Sequence, residues 1–267
     1  MRSIAIIASG VFRDSIRDRI GYGLVFFSIL LMAASFLLAQ LTAGQDVKII
    51  KDLGLASASG IGLFIAVFFG IGLVTKEVER RSIYSVLSKP VTRTQFVIGK
   101  YLGLVLTLLI NLLVMVVAFY CVLLYLDMTA IDGKSAWEAP ALDPRMLKAF
   151  ALIGVELMLI TATAIFFSTF SSPFLSVAMT FAVYIIGHFG EDLKNINTIV
   201  DSAVLPYITK AVYYVMPNLS ALDVKSAVVH GLPVSSSSML LATTSSLLYI
   251  ATLLVGSIVI FSRRDLK

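Results

Sequence analysis

The first residue in this sequence whose type and place ask for chemistry is Glu156. It is the only Asp, Glu, Lys or Arg between residues 149 and 190, in a run that is otherwise apolar. A carboxylate in such a run is costly unless it faces protein or water, so intramembrane acids pair with a neighbour or mark a substrate path, a proton carrier or a gate. Two readings stay open: a substrate-path or gating residue, with Asn111 as a second candidate, or a structural hydrogen bond to a neighbouring helix. Asn111, Thr161 and Thr163 are the candidate partners for such a bond, and Lys148 is a candidate snorkelling partner. His188 and His230 flank a loop without a third ligand, and the lone Cys121 sits in an apolar run, so no metal site is expected and the cysteine reads as packing. The chain contains no G-x-x-x-x-G-K-[S/T] loop to cradle nucleotide phosphates. It also lacks an H-E-x-x-H pair, a serine-hydrolase elbow and paired carboxylates on an apolar run. It reads as non-catalytic, with no cofactor of its own.

A second constellation is continuous in sequence, over residues 76–100. Ile83, Val86 and Leu87 share a face of a short helix that ends at Lys89, because the residue before Pro90 is pushed out of the helical region. Thr92 then caps a second helix, and Gln95 three residues on completes a capping box. Two helices around a sharp bend, carrying charged and apolar surface together, suit either an amphipathic connector resting on headgroups or a docking surface for a partner that moves the helices.

The elements that position these residues belong to a membrane protein. Hydrophobic residues make up 58% of the 267 residues and charged residues 14%. Mean hydropathy is +0.95, whereas soluble domains carry about 25% charged residues. Apolar runs at 20–45, 53–75, 101–126, 149–190 and 239–261 predict about six transmembrane helices, the 149–190 run being long enough for two. Ser168 to Pro173 interrupts that run and predicts a tight hairpin, with Pro173 in the first turn of the next helix. Glu156 then lies about two turns, roughly 10–12 Å, from the outer end of the fourth helix. The second run is rich in glycine (Gly54, Gly60, Gly62, Gly70, Gly72), which predicts close packing against protein.

Residues 1–19 lack a signal-peptide pattern and read as an amphipathic interfacial helix. Ile4, Ile7, Ala8, Val11 and Phe12 lie on one face, with Arg2, Arg13, Asp14 and Arg17 on the other. The stretch 46–52 reads as a polar connection. The loop 191–237, with Ile196, Val200, Val204, Ile208 and Val212 at every fourth position, predicts short helices on the membrane's outer surface. Basic residues concentrate at 1–19, 76–100 and 263–267, close to span ends. The positive-inside rule therefore puts both termini in the cytoplasm. The formal charge of +5 is thereby read as topological anchoring, and no nucleic-acid partner is expected.

The stretch from Glu77 to Gly103 resembles the cytoplasmic loop of type-2 ABC export permeases. The matching residues are Glu77, Glu79, Leu87, Ser88, Pro90, Val91, Arg93, Gly99, Lys100 and Gly103. Thr92 stands where Ser is commoner, and Arg81-Ser82 where many members have Gly-Thr. The leading helix resembles the family's elbow helix, the 167–173 hairpin its fourth-to-fifth connection, and the ending Phe261 to Leu266 its common C-terminus. The resemblance is nearest to permeases that accompany copper-enzyme maturation systems.

It implies an all-α membrane protein in a single domain, 1–267. That domain would have six transmembrane helices, an N-terminal interfacial elbow (1–19), a cytoplasmic coupling helix between spans two and three (76–100) and an extracytoplasmic helical loop (191–237). It implies a bacterial or archaeal cytoplasmic membrane. Two copies, or this chain and a relative, would pair and bind two cytoplasmic ABC ATPases, which hold the ATP and Mg. Glu77, Glu79, Arg80, Arg81, Tyr84, Leu87, Ser88, Pro90 and Arg93 would seat in a groove on the ATPase, driving export of a substrate. Two alternatives stand beside this reading. One is a non-transporting subunit that transmits force to a periplasmic partner through 191–237; the other is a proton-coupled secondary transporter with Glu156 as carrier.

Overall fold

A computed structural model describes residues 2–39, 46–79, 92–129, 142–190 and 215–263. Among these the regular structure is helical, with no strand. The helices are α1 (Arg2–Ile16), α2 (Arg19–Ala39), α3 (Asp46–Glu79), α4 (Arg93–Thr129), α5 (Met146–Ser168), α6 (Pro173–His188), α7 (Lys225–Val229) and α8 (Ser236–Arg263), with a 3-10 turn at Ser220–Leu222 before α7. Four helices are long and apolar enough to cross a membrane, α3, α4, α5 and α8, or up to five if the bent α1–α2 pair counts as one span. The shorter α6 is also apolar.

Local sequence explains the breaks. α1 and α2 meet at 60° across Arg17 and Asp18. α5 stops at Ser168, and α6 starts with Pro173 in its first turn behind Ser172, where the missing N–H costs nothing. The expected capping box is formed: the Gln95 amide N–H donates to Thr92 Oγ1 (3.3 Å) and the Thr92 N–H donates to Gln95 Oε1 (3.3 Å). α4 then runs unbroken into the third apolar run.

α5 is the hub. It packs against α3, α4, α6 and α8, and its hydroxyls are spent on its own backbone. Thr161 donates to the Leu157 carbonyl (2.7 Å) and Thr163 to the Leu159 carbonyl (2.9 Å). Between apolar helices in lipid, packing rather than water release drives association, so small residues set the approach. A Cβ built on Gly62 would sit 2.6 Å from Leu157 of α5, on Gly70 2.8 Å from Ala164 of α5, and on Gly54 2.4 Å from the Phe119 ring of α4. Gly60 and Gly72 face open space. The glycine-rich helix does pack on protein, but on only part of its glycine face.

α1 lies on α4. Ile4, Ile7, Ala8, Val11 and Phe12 form its buried or half-buried side, while Arg13, Asp14 and Arg17 are exposed, as the periodicity predicts. Gly99 and Gly103 make the seat: a Cβ on Gly99 would meet Ile7 at 2.8 Å, and one on Gly103 the Ala8 carbonyl at 2.7 Å.

One expectation needs correction. The stretch 46–52 is no connection but the opening turns of α3, and Lys51 within it is 0% exposed with Asp143 as a nearby opposite charge. In the 191–237 loop, the described part holds the 3-10 turn and the short helix α7, both packed on the bundle. Leu219, Leu222, Val228 and Val229 are buried, and the segment 217–231 is wedged over α3, α5 and α8 as a cap. A left-handed turn at Gly231 (φ 70°) closes it, and the Arg145 guanidinium donates to the Gly231 carbonyl (2.6 Å). The apolar pattern at every fourth position from Ile196 to Val212 lies outside the described residues.

Candidate functional site

Two polar constellations stand out, one at each end of the bundle. The first is at the end where α1, the start of α4 and the finish of α8 meet. Arg93, in the first turn of α4, donates from Nη1 to the carbonyls of Phe261 (2.8 Å) and Ser262 (2.7 Å), acceptors in the last turn of α8. A cation at a helix C-terminus meets both the unpaired carbonyls and the negative end of the macrodipole. The Phe96 and Phe261 rings stack at 5.7 Å with 11° between planes. The Lys100 ammonium lies 4.5 Å above the Phe96 ring, an attraction strengthened by its burial; Lys100 is 2% exposed. The start of α4 is thus clamped to the finish of α8. Charge placement in the sequence marks Arg93 and Lys100 as anchors, but nothing in it pairs Arg93 with a residue 168 positions away.

Of the other predicted coupling residues, Glu77 and Glu79 fall in the last turn of α3. Arg80, Arg81, Tyr84, Leu87, Ser88 and Pro90 lie outside the described residues.

The second constellation is at the opposite end, beneath the cap. Glu156 is 1% exposed. Its close polar neighbour is neither Asn111, which is half-buried on α4, nor a threonine of its own helix, but His188 at the finish of α6: Nε2 lies 3.4 Å from Oε1. His188 Nδ1 is 3.1 Å from the Tyr184 carbonyl, and the Tyr184 ring packs on the imidazole with centroids 4.4 Å apart. From the cap, Lys225 reaches down to Ser59 Oγ on α3 (3.1 Å) while keeping Asp223 within 3.6 Å. The cap is itself tied to α6, since the Leu219 N–H donates to the Gly187 carbonyl (3.1 Å) and a Cβ on Gly187 would strike Leu219 at 2.8 Å. Three helices and the cap therefore converge on one buried carboxylate. Among the described residues no group of three or more His, Cys, Asp or Glu is placed to hold a metal ion.

A search of the curated proteins found no match. The family model described as ABC-2 family transporter protein matches residues 5–266, nearly the whole chain. An all-helical bundle with several apolar helices long enough to span a bilayer is the fold class of a polytopic membrane protein, and the chain belongs to the ABC-2 transporter family. It is a multi-pass membrane protein of permease type.

Proposed function

We propose that this chain is the transmembrane permease subunit of an ATP-binding-cassette exporter, driven by a separate cytoplasmic ATPase. The observation that carries the reading is the family match over residues 5–266 joined to the clamp at the start of α4. In the proposed topology the chain is a single domain of six spans: α2, α3, α4, α5, α6 and α8. α1 is the interfacial elbow, and both termini face the cytoplasm. The segment 77–93 is the coupling element, seated in a groove of each of two ATPases that hold ATP and Mg, and two permease chains pair around the path. Arg93 lies at the junction of that element with the bundle. Motion of the coupling element would pass along the unbroken α4 and, through Arg93, to the finish of α8. Glu156 and Asn111 are the proposed gating or path residues. A second reading, transmission of force to an extracytoplasmic partner without transport, is favoured by the cap that closes the bundle over α3, α5 and α8.

Reversing a charge in the proposed coupling element tests the coupling assignment. In the full chain reconstituted with its ATPase, Glu79→Lys is expected to leave folding intact and to uncouple ATP hydrolysis from substrate movement. Coupling at the unmodified level in that variant would overturn the docking assignment. Substrate movement by the chain alone, without ATP, would overturn the permease reading in favour of a proton-coupled carrier.

A further inference from the structure

We propose that Glu156 and His188 form a binding site for one proton beneath the cap, and that this proton holds the cap in its seated position. Both oxygens of Glu156, and Nε2 of His188, are buried without a hydrogen-bond partner among the described residues, yet Oε1 and Nε2 face each other at 3.4 Å. A backbone carbonyl only accepts, so Nδ1, at 3.1 Å from the Tyr184 carbonyl, carries the hydrogen. A neutral imidazole protonated there presents Nε2 as a bare acceptor, and an ionised carboxylate has only acceptors. Acceptor then faces acceptor in a buried place, which is costly for both. One added proton resolves this on either atom: the carboxylic acid donates to Nε2, or an imidazolium donates to the carboxylate.

The groups around the pair explain why its proton bears on the cap. Tyr184 of α6 covers the imidazole, and α3 contributes the neutral Ser59. Asp223 and Lys225, both from the cap, are the other charged groups that act on Glu156. Lys51, the buried cation of α3 at this end, has Asp143 as its opposite charge. His230 is on the cap but exposed, with Nδ1 at 2.9 Å from the Ser226 carbonyl. With the proton bound, the pair is neutral overall and Lys225 stays on Ser59 and Asp223. Without it, a net negative charge lies buried beside Asp223 with no hydrogen-bond donor among the described residues on either carboxylate oxygen, and lifting the segment 217–231 to admit water relieves that cost. This inference does not depend on the ATPase, and its test reads the full chain alone.

The test places a cysteine at the buried Val228 in a Cys121→Ser background, in lipid nanodiscs, and follows labelling by a membrane-impermeant maleimide. Dividing by the rate at an exposed Ala221→Cys removes the pH dependence of the thiol itself. Between about pH 5 and 9 the normalised rate is expected to rise at least about tenfold as the proton leaves. Glu156→Gln, whose amide donates permanently to Nε2, is expected to give a low, flat profile, whereas His230→Gln keeps the rise. A flat profile with Glu156 and His188 intact, or a rise that survives Glu156→Gln or vanishes with His230→Gln, would overturn the proposal. Nitrogen-15 NMR of His188 in the unsubstituted chain reads the same proton without mutation. An Nε2 resonance that moves over that pH range supports the site, and one that stays fixed overturns it.

Discussion

Arg93 carries two demands in one side chain, since it belongs to the proposed coupling element and also ends α8. Its guanidinium satisfies the Phe261 and Ser262 carbonyls at 2.8 and 2.7 Å, and such a cation at a helix terminus contributes about 0.3–1 kcal/mol, or up to about 2 when partly buried. Arg93→Met keeps the apolar stem and removes the donors. It is expected to destabilise the chain by about 1 kcal/mol, read as a lower midpoint of thermal unfolding in detergent, and an unchanged midpoint would contradict the clamp. The glycines of α3 separate by what faces them. Gly54→Ala drives a methyl to 2.4 Å from Phe119, a ring held edge-on between Phe150 and Tyr120, and should cost about 1–3 kcal/mol through overpacking. Gly60→Ala meets open space and should leave stability unchanged or raise it by about 0.5–1 kcal/mol. Comparing the two midpoints checks the register of α3 against α4.

At the scale of elements, the seat of α1 on α4 is the contact most open to a single change. Gly99 and Gly103 admit Ile7 and Ala8 so closely that no side chain fits between. Gly103→Leu is expected to lift α1 from α4, so that a cysteine placed at the buried Val11 labels faster while the spans stay folded; unaltered labelling would contradict the packing. Much at this scale was legible in the sequence, because it depends on neighbours in the chain. Thr92 and Gln95 cap α4, Pro173 opens α6, and the amphipathic face of α1 lies where its spacing put it. What was not legible depends on which faces meet across the bundle. Apolar periodicity in a helix that is hydrophobic all round does not say what each face touches, so His188 could not be matched to Glu156, nor Arg93 to the finish of α8. Hydropathy also misread 46–52: its charges argued for a connection, but the helix continues and buries Lys51 near Asp143.

For the whole molecule, the bundle is tied at both ends by different means. One end is a clamp among α1, α4 and α8; the other is a cap seated on a buried acid and imidazole. Under the proposed function, a lever entering at the clamp and a closure at the cap, joined by α5 packed between α3, α4, α6 and α8, would take force at one face and open the other. The central claim is that the segment before Arg93 docks on an ATPase. A photoreactive amino acid at Leu87, in the full chain co-expressed with its proposed ABC ATPase, tests this most directly. The account predicts a covalent adduct with a protein bearing the G-x-x-x-x-G-K-[S/T] loop, with a yield that changes when ATP is bound. Adducts with lipid alone, leaving that ATPase unlabelled, would show the segment to be a connector resting on headgroups and would contradict the account.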